Sequence, residues 1–153
     1  MARKQRKEPE LLFSGPPTTD PTALHRALVG ATRADVTVGG YLVLAVNSDD
    51  DVLDDSTLKR IAVSRGGRST STVDTDDLIA LVGALRVEEV TDFLCMCMGD
   101  YVIEFFDERN TLTEVVRIDL PSGIESRHWF GGARLADPPL LHSWLRSHGF
   151  ELA

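Results

Sequence analysis

Two cysteines, a glutamate and a histidine are the residues whose chemistry stands out in this chain: Cys95 and Cys97 two positions apart, Glu104 beyond Gly99-Asp100, and His128 further on. Two thiolates and an imidazole suit zinc. A carboxylate held among apolar side chains is a candidate general acid or base. The spacing weighs against the metal. Structural zinc sites draw cysteine pairs from Cys-x2-Cys knuckles on tight turns, whereas Cys-x-Cys in an extended strand holds its sulfurs far apart. The same strand geometry, with Cα atoms about 6.6 Å apart and parallel Cβ vectors, suits no relaxed disulfide. Buried free cysteine packs as a small hydrophobe, so the thiols are expected to pack rather than react. Cys95, Cys97, Glu104 and His128 remain the set on which a small enzyme or a metal- or thiol-dependent protein would depend, and no cofactor is expected.

The element carrying most of this set is the run from Phe93 to Phe106, two apolar strand patterns around Gly99-Asp100. A two-residue Gly-Asp turn predicts a β-hairpin of type II′, in which glycine supplies the positive φ of the first central position. With Met98 opposite Tyr101, the period-2 alternation puts Phe93, Cys95, Cys97, Val102, Glu104 and Phe106 on one face, with Glu104 opposite Cys95. Leu94, Met96, Met98, Tyr101, Ile103 and Phe105 share the other. The second face is wholly apolar and is expected to be core. The first is expected to be exposed, so that Phe93, Val102, Glu104 and Phe106 form a candidate partner-binding or dimer face.

Outside this run, Asp20-Pro21 is an N-cap followed by proline at the first helical position, with Leu24, Ala27, Leu28 and Ala31 at helical spacing. Val36 to Val46 predicts a hairpin turning on Gly39-Gly40, and its unbroken apolar run 41–46 predicts a central strand buried on both faces. Gly66-Gly67 separates the arms of a half-polar edge hairpin. Asp74 and Asp77 precede Leu78, Ile79, Val82 and Leu85, predicting a helix near 75–87. Strands at 112–120 and 124–130 follow the first hairpin through short turns and predict an antiparallel meander, with a last short strand allowed through Leu135. Asp137-Pro138 then opens a helix with Leu141, Trp144 and Leu145 on one side, ending at Gly149-Phe150 in a Schellman pattern. The prediction is an α+β fold: an antiparallel sheet centred on 41–46 and 93–130, covered on one face by helices near 75–87 and 138–148.

The chain has 153 residues and a net charge of −8, from 24 acidic and 16 basic side chains. This length predicts one domain, residues 20–153, behind a disordered basic and proline-rich arm, residues 1–19. Acidity disfavours duplex DNA or anionic lipid as partners of the body; only Arg3, Lys4, Arg6 and Lys7 of the arm offer a contact for nucleic acid. No apolar h-region follows that basic start, and no apolar run approaches a membrane span; with two free thiols this predicts a cytoplasmic protein.

Other motifs fail on inspection. The acidic run from Asn47 to Asp55 has Val52 and Leu58 where an EF-hand starting at Asn47 needs glycine and glutamate. Arg65-Gly66-Gly67-Arg68 lacks the Gly-Lys-Ser/Thr ending of a P-loop. No nucleophile elbow, His-Glu-x-x-His helix or dinucleotide fingerprint occurs, so no catalytic residue is assigned.

The last 60 or so residues, with Cys95-x-Cys97-x-Gly99-Asp100, Trp129-x-Gly131-x-Ala133-x-Leu135-x-Asp137 and Leu141-x-x-Trp144-Leu145-x-x-x-Gly149, resemble small bacterial proteins, mainly actinobacterial, that carry no assigned activity. Paired histidines that precede the Trp-bearing strand in that group are replaced here by Leu120-Pro121-Ser122-Gly123 and the single His128. The resemblance implies the fold and no activity. With no catalytic set and an acidic body, the expectation is a non-catalytic protein-interaction or regulatory module, of accessory or immunity-protein type, with a protein partner or a second copy of itself.

Overall fold

A computed structural model of the chain describes residues 18–39, 69–91, 99–129 and 132–152. Their elements in order are α1 (Ala23–Ala27), β1 (Arg33–Val38), β2 (Ser69–Thr72), α2 (Thr75–Ala84), β3 (Val87–Val90), β4 (Tyr101–Phe106), β5 (Leu112–Asp119), β6 (Gly123–Glu125), β7 (Gly132–Leu135) and α3 (Pro138–Ser147). The seven strands form one antiparallel sheet of order β2-β1-β4-β5-β6-β7-β3. The three helices pack on one face, and the fold is α+β as the residue pattern predicts. Among the described residues no helix is long and apolar enough to cross a membrane.

The core lies between that face and the helices. Tyr101, Ile103 and Phe105 of β4 meet Val116 and Ile118 of β5, and Leu81, Leu141, Trp144 and Leu145 close over them. Burying such side chains is worth roughly 1.5–3 kcal/mol each, and this term drives the two layers together. The expected core face of β4 is therefore borne out. So is the meander: β4, β5, β6 and β7 follow one another across the sheet. The polar turn after β4 is closed by Asp107, whose carboxylate accepts from the amides of Arg109 and Thr111 at 2.9 and 3.0 Å.

The pairing of β4 differs from the predicted hairpin. Its two edges are taken by β1, from Arg33↔Phe106 to Val38↔Tyr101, and by β5, from Tyr101↔Ile118 to Phe106↔Leu112. A third strand has no free edge over 101–106, and residues 93–98 lie among those outside the described set. Gly99 does take the positive φ expected of it, 76°. Glycine is required there a second time, because a Cβ would collide with the side chain of Arg117. β1 is likewise flanked on both sides, by β2 and β4, which leaves no edge for the predicted pairing of 36–38 with 41–46; the latter segment lies outside the described residues. The middle of the sheet is β4 and β5, and β2 lies at its margin among the described strands.

Both long helices begin on the predicted aspartates. Asp74 accepts from the amide of Asp77 at 2.9 Å, and Asp137 from that of Leu140 at 3.3 Å. α3 ends in the Schellman pattern: Phe150 donates to the Leu145 carbonyl, Gly149 to that of Arg146, and Gly149 has φ 85°. α1 is shorter than its pattern predicts. Asp20 caps the preceding turn, accepting from the Thr22 amide and hydroxyl, and the helix starts at Ala23. These hydrogen bonds, the Thr22 hydroxyl foremost, hold the Asp20 carboxyl below its ordinary value. α2 stops at Ala84, and Val87–Val90, within and beyond the predicted helix end, is an edge strand paired with β7.

Candidate functional site

Of the residues singled out by their chemistry, the two described ones, Glu104 and His128, are not brought together. Phe93, Cys95 and Cys97 lie outside the described residues. Glu104 is buried, 2% exposed, and its cross-strand neighbours are Asp35 and Val115, not Cys95. Val102 and Phe106 beside it are fully buried as well, and the Arg33 guanidinium sits 3.9 Å above the centre of the Phe106 ring. The described members of the expected partner face are thus interior residues. Alternation along β4 records which residues share a face, but not whether that face meets solvent.

His128 belongs to the other side of the sheet. It follows β6 in a turn rather than lying on a strand, and its Nε2 is 3.2 Å from Oε2 of Glu114. Glu114 is opposite Phe105 and shares the core face, while Glu104, opposite Val115, shares the reverse face. The sheet therefore separates Glu104 from His128. Glu114, fully buried, also accepts from Arg127 Nε at 3.2 Å. A buried carboxylate with two basic partners is stable only in this paired state. Among the described residues no group of three or more His, Cys, Asp or Glu side chains could hold a metal ion.

This cluster has a positioning role. Glu114 ties the turn 126–129 to β5; from that turn the His128 carbonyl accepts from the Thr18 amide at 2.8 Å, and the Trp129 indole donates to the Asp20 carbonyl at 2.9 Å. The entry to α1 is thereby fixed against the sheet, and with it the side chains that follow. Leu24 and Leu28 enter the core, while Val29 stays 80% exposed.

Opposite α1 stands α2, held by a second polar clasp. His148 at the end of α3 places Nε2 2.7 Å from Oδ2 of Asp77, which also accepts from the Thr72 hydroxyl. The imidazole stacks on Trp144 with ring centres 3.7 Å apart, and the Trp144 indole donates to the Asp77 carbonyl at 3.2 Å. α2 is thus joined to the core helix α3 at its first turn.

Between α1 and α2 lies an open groove of about 740 Å³. One wall is a single stripe of α2 and its continuation: Thr75, Leu78, Ile79, Val82, Gly83 and Arg86. Spacings of 3, 1, 3, 1 and 3 put these residues on one helical face. The other wall is His25, Leu28, Val29, Ala31 and Thr32, with Val73 at one end of α2. Val29, Val73 and Ile79, 80, 69 and 64% exposed, are the three most exposed large hydrophobic side chains among the described residues. Three such side chains around one concave surface differ from the scattered exposure that any protein shows. Among its described lining residues the titratable groups, His25 and Arg86, are both bases.

No motif in the sequence marks this groove, although a signal for it is present. From Leu78 to Leu85 no residue has a polar side chain. A helical run of this kind is apolar on every side and calls for cover on both. A smaller hollow of about 370 Å³ beside the β5–β6 turn contains Asp119 and Glu125. Both are ion-paired to Arg117, and burial pushes the Asp119 carboxyl above its ordinary value against the lowering effect of that guanidinium. No family model, curated protein or solved structure matches the chain.

Proposed function

We propose that this chain is a cytoplasmic, non-catalytic protein-interaction module of accessory or regulatory kind, and that it engages its partner through the α1–α2 groove rather than through the sheet face of Val102, Glu104 and Phe106. One observation carries the reading: beyond its polar first turn α2 is apolar from Leu78 onward, yet the core buries only Leu78, Leu81, Ala84 and Leu85, with Val82 half-buried and Ile79 exposed. Leaving Ile79 in water forfeits roughly 1.5–3 kcal/mol of burial that a partner would recover. Glu104 and His128 on opposite sides of the sheet support the same reading, since the alternative site would need them together.

The test is site-specific photocross-linking in the cell that makes the protein, with benzoylphenylalanine at Ile79 and, as a control, at Leu140 on the exposed side of α3. The expected result is one discrete protein adduct from position 79, lost when Val73→Glu is added, and none from position 140. Equal adduct patterns from both positions, or adducts unaffected by Val73→Glu, would refute the groove as the partner site.

A further inference from the structure

We infer that the partner segment received by this groove is an amphipathic α-helix with acidic residues at one end. The inference rests on the reading of the groove as the partner site. Shape supplies the first argument. The α2 wall is a straight stripe as long as the helix, about 15 Å for ten residues at the standard rise. All its described lining residues come from helices α1 and α2 or from segments adjoining them, and none from a strand. A segment added as a β-strand needs a free sheet edge, which this surface does not present. A helix laid along α2 needs only ridges and grooves of side chains, which α2 supplies on one side and the end of α1 with the turn after it on the other.

Gly83 leaves the stripe open at one point. It lies on the groove stripe inside α2, where glycine costs roughly 0.5–1 kcal/mol relative to alanine, and nothing stands within 4 Å of the position a Cβ would take. The gap is open to a partner's side chain, and no packing within the fold requires it.

Size and charge complete the argument. A cleft of about 740 Å³ accommodates the anchor side chains of a short segment. A second folded copy would bury roughly 800 Å² on each partner, much more than a groove one helix long provides. Among the described lining residues the one fixed charge is Arg86 and none is a carboxylate, whereas Asp76 and Asp77 stand at the opposite end of α2 from Arg86. A partner helix is therefore favoured when its acidic residues lie at the Arg86 end, where attraction is gained, and not beside Asp76, where like charges meet.

The test uses the full chain, isotope-labelled, with fluorescent helical peptides of about 15 residues, slightly longer than α2. Each has leucine at positions i, i+3, i+4, i+7 and i+11 on an alanine background, and ends in three glutamates or three lysines. A third peptide scrambles the leucine spacing. The glutamate peptide is expected to perturb amides of 25–32 and 78–86, and at low salt to bind about fivefold more tightly than the lysine peptide. Arg86→Glu should abolish or reverse that preference, and Ile79→Glu should weaken binding about tenfold with amide dispersion elsewhere unchanged. If the lysine peptide binds equally well at the same amides, the acidic partner is wrong while the groove reading stands. If the scrambled peptide binds equally well, the helical partner is wrong. Perturbation confined to other surfaces, or a groove that takes laurate and no peptide, would overturn this inference and leave the groove reading to be judged by its own cross-linking.

Discussion

Helices α2 and α3 are each ten residues long, start on an aspartate cap and pack on the same sheet, but they differ in what their outer sides carry. α3 directs Leu141, Trp144 and Leu145 inward and shows Ser143 and Arg146 outward; Leu140 is its one exposed large hydrophobic residue. α2 directs Leu78, Leu81 and Ala84 inward and shows Ile79, with Val82 and Gly83 half-buried beside the groove. The fold completes the burial that α3 requires except at Leu140. It completes only half of what α2 requires, so α2 combines a structural side with a side available to a partner.

The widest separation between the helices should appear in truncations to alanine. Trp144→Ala should cost about 3–5 kcal/mol and Leu141→Ala about 2–5, through lost burial and the cavity left behind. Ile79→Ala should stay within about 0.5 kcal/mol, because the side chain is mostly exposed and little packing is lost. Urea unfolding measures all three; an Ile79→Ala cost approaching that of Leu141→Ala would mean that the stripe is core and the contrast false.

Caps should behave alike where the outer sides do not. Asp74→Ala and Asp137→Ala should each cost about 1 kcal/mol, the ordinary value for losing an N-cap oxygen. A cost at one and not the other would show that the two helices are held by different means.

Glycine substitutions should have opposite signs. Gly149→Ala must place a Cβ at φ 85° and should cost about 1 kcal/mol. Gly83→Ala, in an ordinary helical position with open space around it, should raise stability by about 0.5–1 kcal/mol. The same Gly83→Ala change should weaken partner binding, so gain of stability with loss of affinity would mark the residue as kept for its open surface.

The smallest effect concerns the core beneath both helices. Burial raises the Tyr101 hydroxyl above the ordinary 10.0, with Asp100 adding to the shift. The folded state then keeps this proton after the unfolded chain has lost it, so the contribution is complete below pH 10 and fades as pH climbs toward the raised value. Absorbance at 295 nm should show a late tyrosinate step that disappears in Tyr101→Phe. A step at the ordinary tyrosine position that vanishes in the same variant would show this ring to be solvated.

Much of the fold could be read from short-range patterns: the Asp74 and Asp137 caps, the Asp107 turn, the Schellman stop at Gly149-Phe150, and the meander from β4 to β7. Each depends on residues within a few positions of one another. The candidate site was read poorly for the converse reason. A cysteine pair, a glutamate and a histidine drew notice by residue type, but nothing local reports that Glu104 and His128 face opposite sides of a sheet. The apolar run 78–85 drew no such notice, because uninterrupted hydrophobicity announces burial without saying which sides the chain itself covers.

Most element types, the caps, the turns and the core face of β4 were therefore implied by the order of amino acids, since backbone preferences and apolar periodicity act over a few residues; strand β3 and the short extent of β6 were not. Tertiary structure alone decided that β1 lies between β2 and β4, that the Val102–Glu104–Phe106 face is interior, and that α1 and α2 leave a groove between them. The choice of strand partner is a long-range competition: about thirty residues separate β1 from β2 in sequence, and more than sixty separate β1 from β4. Exposure follows from that choice, because a side chain is interior only when another element arrives to cover it.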